Sequence, residues 1–495
     1  MRPDRAISLS RLTAGVAVFD DATPDRFGDV PITGLTSDSR NVQPGFLFAA
    51  LAGARTDGAR YIADAVARGA VAVLAGHQTA VQVPPSVAVL RALEPRCALA
   101  HLASRFYPRQ PRTIVAITGT SGKTSIAEFV RQIFGACGRR AGSVGTIGVV
   151  TPDTADYGSL TTPDPVALHA TLDALAGDGI THLALEASSH GLDQFRLDGV
   201  RLTAAAFNNL GRDHLDYHPS MEAYLDAKSR LFRDLLTPGQ PAIINADDGR
   251  SGDVIAAARI RGLTVMTTGR AGRTLRLVAT ERVGFRQRIE VDHAGILRRV
   301  DLPLIGDYQA GNALVAAALA LACGEPADAV FAALGSLVGV KGRLEVVGDV
   351  GGGLVVVDYA HKPEALAAAL EALRPFATGR LVCVFGCGGD RDRGKRPIMG
   401  RIASEKADVV IVTDDNPRSE DPAAIRREIL AAAPGVHEIG DRAEAIRAGI
   451  DRLGPGDVLL IAGKGHETGQ IVGDMVLPFS DHEEVQHAIG VRSGN

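Results

Sequence analysis

The 495-residue chain has few cysteines, no long run of charge of one sign and no long apolar stretch. Five cysteines (Cys97, Cys137, Cys323, Cys383, Cys387) are too few and too scattered for a disulfide scaffold, so a reducing, cytoplasmic setting is expected. Arg2, Asp4, Arg5 and Arg11 interrupt the stretch that a secretory signal would keep apolar, and no run of about 18 apolar residues occurs. Export and a membrane span are therefore not expected. Lys and Arg (53) nearly balance Asp and Glu (57), which argues against a nucleic-acid-coating surface and leaves any anionic ligand to be held locally. Repeats and low-complexity tracts are absent as well. What is there, 46% hydrophobic and 22% charged residues, is ordinary globular composition, and at roughly 150 residues per domain the length suggests about three domains.

Pro108-Arg-Gln-Pro-Arg112 follows a helical stretch from Glu94 to Phe106 and reads as an exposed linker. Before it, glycines at 45, 53 and 58 lead into a helix expected over Thr56 to Arg68 and an apolar run at 70–75. After it, Thr113 to Thr118 reads as a buried strand, and Ile126, Val130, Ile133 and Phe134 recur at the spacing of one helix face. Asp164-Pro165 opens a helix, strands are expected at 181–187, 203–207 and 241–245, and a helix at 221–236. Alternation from 274 to 304 predicts antiparallel strands, and alanine-rich helices follow near 308–322 and 326–337. From Leu354, strands at 354–359, 380–385, 407–413 and 457–462 alternate with helical segments, which implies a parallel sheet. The expected class is α/β in three domains: a small N-terminal α/β domain (1–110), a central P-loop domain with a mostly parallel sheet (111–343) and a C-terminal Rossmann-like domain (344–495).

Gly119-Thr120-Ser121-Gly122-Lys123-Thr124 follows a strand and opens a helix, so backbone N–H groups can face a phosphate chain while Lys123 adds a point charge. Thr124 is placed to ligate magnesium. Ile117 stands where the strict motif wants its first glycine, and a chance glycine turn is the competing reading. Glu186 ends a strand where P-loop proteins keep a metal-binding acid, although an isolated acid there is usually just solvated. His214 and His218, four apart, could hold zinc on a helix; without a partner motif, one histidine on a hard-cation site and one structural histidine is preferred. Gly386-Cys-Gly388-Gly389 lacks the third glycine of a dinucleotide fingerprint, which falls at Arg391, and Cys383 and Cys387 read as a strand thiol and a loop thiol.

GTSGKTS (119–125), EASSHGLDQFR (186–196), NNLGRDHLDYH (208–218), YLDAKSRLF (224–232), GDYQAGNALVA (306–316), VDYAHKPEAL (357–366), GCGGDRDRGKRPIMG (386–400) and DDNPR (414–418) together resemble the Mur ligase family. Ser121 and Lys341 depart from its commoner asparagine and proline. The resemblance implies an N-terminal domain for the UDP end of the substrate, a central ATPase and a C-terminal domain for the incoming amino acid. It implies Ser39 and Arg40 near the uridine, with Thr161, Thr162, Ser188, Gln194 and Arg196 along the muramoyl peptide. ATP would lie against Gly119 to Ser125, including Lys123, Asn312 against adenine, and Arg343 and Asp358. Thr124, Glu186, His214 and Lys228, the last as the carbamate N6-carboxylysine, would hold Mg²⁺. Arg391, Asp415, Asn416, Arg418, Gly463 and Glu467 would bind diaminopimelate.

The implied reaction joins meso-diaminopimelate to the D-glutamate side-chain carboxylate of UDP-N-acetylmuramoyl-L-alanyl-D-glutamate, an ATP-dependent step of peptidoglycan precursor synthesis. ATP phosphorylates the carboxylate, and the amine attacks the acyl phosphate; Lys123 and magnesium screen repulsion between anions. A cytoplasmic monomer without nucleic-acid partners is expected. A lysine-adding ligase, a folate-extending relative and a P-loop switch are the alternatives.

Overall fold

The computed structural model describes residues 6–19, 27–53, 57–156, 161–214, 217–283 and 286–493. Thr113–Thr118 is buried along its whole length, as a strand covered on both faces must be. Its side chains alternate: Val115 and Ile117 enter one apolar cluster, Ile114 and Ala116 the other. This strand sits inside an eleven-stranded sheet. On one side lie His182–Glu186, Ala141–Gly145 and two antiparallel edge strands; on the other, Ala204–Phe207, Pro241–Asn245 and Thr264–Gly269 continue in parallel. The predicted antiparallel strands follow as Leu275–Val283, Arg286–His293 and Ile296–Leu302.

Helices Lys123–Ala136 and Asp307–Ala322 cover one face through Phe129, Val130, Ile133, Leu314 and Ala317. Pro165–Gly177, Met221–Arg230 and Ser251–Ile260 cover the other through Leu168, Leu172, Leu225 and Val254. Asp164 caps its helix by accepting from the N–H groups of Val166 and Ala167. The segment expected to be helical to residue 236 ends its regular helix at Arg230, and Leu231–Leu235 forms a π-helical turn.

The N-terminal sheet runs Val18–Phe19, Ala88–Ala92, Ala72–Gly76, Phe46–Ala49, Gly34–Thr36, parallel after its first pair. The helix expected over 56–68 is a 3₁₀ turn, Gly58–Tyr61, followed by Ile62–Ala67; Thr56 lies outside the described residues. In the C-terminal sheet the order is Glu345–Val350, Gly353–Asp358, Val458–Ala462, Leu381–Phe385, Val409–Val412, His437–Glu438. Its interior is parallel as expected, but Glu345–Val350 adds an antiparallel edge. The chain crosses from Gly353–Asp358 past Val458–Ala462 to Leu381–Phe385, a topological switch that opens a crevice beyond the strand ends. A hairpin (Gly469–Val472 with Met475–Pro478) and a final helix, Asp481–Ser493, complete the described chain.

Candidate active site

The loop after Thr118 is shaped by its glycines and clamped from below. Gly122 is left-handed (φ +84°), and a Cβ there would lie 2.5 Å from Asn312 Oδ1 and 2.6 Å from Asn208 Nδ2. Asn208 Nδ2 donates to Ser121 O (3.0 Å) and Asn312 Oδ1 (3.1 Å), while Asn209 Oδ1 accepts from the N–H groups of Thr120 and Ser121. Thr120 Oγ1 lies 3.2 Å from the Tyr224 hydroxyl, and Thr124 and Ser125 are buried at the helix start. Asn312 thus sits at the underside of the loop, its amide nitrogen donating to Gln309.

Two lysines converge on one carbonyl. Lys123 Nζ donates to Gly119 O (2.9 Å) and Thr120 O (3.1 Å), and Lys228 Nζ donates to the same Gly119 O (2.9 Å) while lying over the Tyr224 ring. Burial, with Lys362 alongside, draws Lys123 down to about 8; burial, with Lys123 and Lys362 nearby, draws Lys228 well below its usual value. Lys362 reaches from the C-terminal unit to Asp213 in an ion pair. Asp213 also meets His214 Nε2 at 3.1 Å, and despite burial Lys362 and His214 hold its carboxyl at about 2. His214 is drawn down to about 4, chiefly by burial. The helical reading of the two histidines needs correction: His214 is left-handed (φ +53°), which no regular helix allows. His214 faces the His190 ring, whereas His218 is buried against Tyr224.

Glu186 is buried at the end of its strand and accepts from Thr146 N (2.8 Å) and Thr146 Oγ1 (3.1 Å). Among the described residues no lysine or arginine forms an ion pair with it, so it is a buried hard-oxygen donor open to a cation. Thr146 Oγ1 is 3.0 Å from Thr161 Oγ1, and Thr162 Oγ1 donates to Glu186 O. Ser188 N and Oγ donate to Thr162 Oγ1, Arg196 donates to Thr162 O and to Gln194 Oε1, and Gln194 reaches Tyr217. The structure therefore gathers Thr161, Thr162, Ser188, Gln194 and Arg196 into one polar cluster beside Glu186. Ser39 and Arg40 lie apart, on a 3₁₀ turn of the N-terminal unit, with Arg40 forked on Asp38 and largely exposed.

At the junction with the C-terminal unit, Arg343 lies over the Tyr359 ring (4.5 Å), its Nε buried without a partner. Asp358 accepts from Leu344 N (2.7 Å), and burial pushes its carboxyl up to about 6 against the pull of Arg343. In the crevice, Asn416 Nδ2 donates to Glu467 Oε2 (2.9 Å) and Asn416 Oδ1 accepts from Lys464 Nζ (3.0 Å). Gly463 (φ +118°) passes so close to Asp415 that a Cβ would lie 2.6 Å from its Oδ2. Arg418 is left-handed (φ +52°), and its Nη1 donates to Gly389 O (2.8 Å); no carboxylate pairs with it among the described residues. Burial and the Arg391 charge lower its pKa. Arg391 itself is exposed and bonded to Asp390 O. Cys383 and Cys387 are buried free thiols, Cys387 resting on Met399 Sδ.

The sequence reading assigned no role to Asn208, Asn209, Asp213 or Lys362, although all four lie in motifs that carried the resemblance. Thr146 had no signal at all.

Family models match the chain over residues 31–107 (Mur ligase family, catalytic domain), 117–320 (Mur ligase middle domain) and 342–465 (Mur ligase, glutamate ligase domain). A UDP-N-acetylmuramoyl-L-alanyl-D-glutamate--2,6-diaminopimelate ligase of Agrobacterium fabrum is 57% identical over 469 residues, 94% of this chain and 95% of the relative. The ligase of the same name from Bradyrhizobium diazoefficiens is 58% identical over 477 residues, 96% and 98% of the two chains. A solved structure of a ligase with that name superposes with a TM-score of 0.72 at 32% identity, covering 99% of both chains. A Mycobacterium tuberculosis folylpolyglutamate synthase shares the fold at 19% identity, with a TM-score of 0.62 over 74% of this chain and 92% of that one. Matched in all three parts and nearly end to end, the chain belongs to the Mur ligase family.

Proposed function

We propose that this chain is the ATP-dependent ligase that joins meso-diaminopimelate to the D-glutamate side-chain carboxylate of UDP-N-acetylmuramoyl-L-alanyl-D-glutamate. The observation that carries the choice of amino acid is Arg418: a half-buried guanidinium, unpaired with any described carboxylate, at a crevice lined by Asp415, Asn416 and Glu467. Diaminopimelate differs from lysine by one distal carboxylate, and a guanidinium fork suits that group. Asp415, Gly463 and Glu467 hold the other end, with Arg391 at the mouth. The relatives' names agree with this reading.

In this reading the N-terminal unit (1–110) holds the UDP end through Ser39 and Arg40, and the Thr162–Arg196 cluster holds the muramoyl peptide. The central unit (111–343) holds ATP on the 119–125 loop with Asn312, Arg343 and Asp358, and the C-terminal unit (344–495) holds the amino acid. Lys123 carries positive charge to the transferring phosphate. Thr124, Glu186, His214 and carbamylated Lys228 would hold Mg²⁺, which when bound screens the phosphate charges. Burial beside two other lysines lowers the pKa of the unmodified Lys228 amine, which favours the neutral form that adds CO₂: its N–C bond forms as one N–H proton leaves, and the charge becomes negative. The acyl phosphate is then attacked by a neutral amine, and phosphate leaves. No described helix is long and apolar enough to cross a membrane; a cytoplasmic monomer is part of the proposal.

Incubation with ATP, Mg²⁺, the UDP-dipeptide and a panel of amino acids, with product masses measured, tests the reading. Diaminopimelate should be the amino acid incorporated. Comparable use of lysine, or ATP hydrolysis without a peptide product, would overturn it.

A further inference from the structure

Away from the nucleotide loop, a second group of metal-ligating side chains meets where the N-terminal and central units touch. Cys97 and His101 stand four residues apart on helix Pro95–Phe106, hence on one face, and Asp198 faces them from the loop that follows Arg196. One ligand atom from each lies within 4.8 Å of the others, and Cys97 Sγ is 3.5 Å from Asp198 Oδ1. Metal bonds of about 2.0–2.3 Å in a tetrahedron set ligand atoms about 3.3–3.8 Å apart; the Cys97–Asp198 pair already has that spacing, and the His101 ligand atom lies within 4.8 Å of both.

The carboxylate is held ready. Arg230 forks onto Asp198 with bonds of 2.9 and 2.7 Å, and the Asp198 carbonyl lies 2.9 Å from His169 Nε2. Outer partners of this kind orient a ligand. On the open side Cys97 and His101 line a cavity of about 500 Å³, shared with His77 and Glu94, which leaves room for a further ligand or water.

We propose that Cys97, His101 and Asp198 bind a borderline divalent cation, zinc foremost, which clasps the N-terminal helix to the central unit. Sulfur and imidazole donors select zinc over magnesium, so the site is chemically separate from the oxygen-rich one at Glu186. On binding, the Cys97 S–H bond breaks, its proton passes to solvent and a sulfur–metal bond forms, with no change of oxidation state.

The test is a cobalt titration of the full chain in millimolar Mg²⁺. One equivalent should produce the near-ultraviolet band of a cobalt–thiolate bond, and zinc should bleach it. Cys97→Ser should remove the band, Cys137→Ser should keep it, and His101→Ala should weaken zinc binding by at least the 10- to 100-fold that loss of an outer partner costs. Absence of the band, or its survival in Cys97→Ser, overturns the proposal. Should Cys97→Ser not fold, alkylation of Cys97 in the native chain decides the matter by peptide mass: zinc should slow it severalfold, and an unchanged rate overturns the site.

Discussion

Buried cations are treated differently in the two halves of the active site. In the C-terminal unit Arg396 is held by Glu420 and Glu428, Arg442 by Asp481 and Lys464 by Glu467, whereas among the described residues the Arg418 guanidinium bonds only to backbone carbonyls. In the central unit Lys123 bonds to backbone carbonyls and pairs with no carboxylate among the described residues. A buried charge without a counter-charge is costly, so such groups mark where an anion arrives, while paired ones hold the fold. The largest effect expected from this contrast is at Arg418. A site built around one polar contact can reject the analogue lacking it by about ten-thousandfold. In Arg418→Lys, the ratio of kcat/KM for diaminopimelate over lysine should fall by orders of magnitude; an undiminished ratio would break the comparison on the unpaired side.

The paired side is broken with Arg442→Met. Arg442 and Asp481 are fully buried and bonded at 2.7 and 2.8 Å, and removing one partner of such a pair costs about 3–5 kcal/mol. Denaturant unfolding should show that loss, and adding Asp481→Leu should recover most of it. If the double variant stays as unstable as the single one, Arg442 is more than half of a neutral pair.

Next in size is Lys123→Ala, which should fold normally yet lose about 10²- to 10³-fold in turnover, the usual effect of removing one transition-state electrostatic contact. Single-turnover kinetics would show it, and near-normal turnover would end the assignment of the loop. Lys228→Ala should be similarly inactive, and wild-type activity lost under CO₂ depletion should return with bicarbonate. An active Lys228→Ala variant would remove the carbamate from the metal set.

What could be read from sequence was what local spacing dictates. Ile126, Val130, Ile133 and Phe134 marked a helix face because helical periodicity is local, and all four are fully buried. The edge strand Glu345–Val350 was hidden because its register slips between Val346 and Gly348, which breaks the two-residue alternation. Residues of the nucleotide loop were visible in one contiguous motif. Their clamps were not: Asn209 reaches Thr120 across 89 positions, and Thr146 serves Glu186 across 40. Likewise the Cys97 and Asp198 side chains are 101 positions apart, a pairing that only the packing of two units makes.

The smallest effect lies where the two regions meet, at Asp358. Burial raises its carboxyl to about 6 in the folded chain, against 3.8 for an ordinary aspartate. Between those values the folded state holds a proton that the unfolded state has released, so stability from this group is full below about pH 3.8 and is lost as pH climbs through about 6. Asp358→Asn keeps a side-chain oxygen to accept from Leu344 N but never ionises. Relative to wild type, the variant should therefore gain stability with rising pH, by on the order of 2 kcal/mol between pH 4.5 and pH 8. Paired urea melts at those two values measure the gap. If it stays constant, the Arg343 guanidinium over Tyr359 already neutralises Asp358 and belongs among the paired cations; if it widens as expected, Arg343 is, like Arg418 and Lys123, a cation kept for an incoming anion.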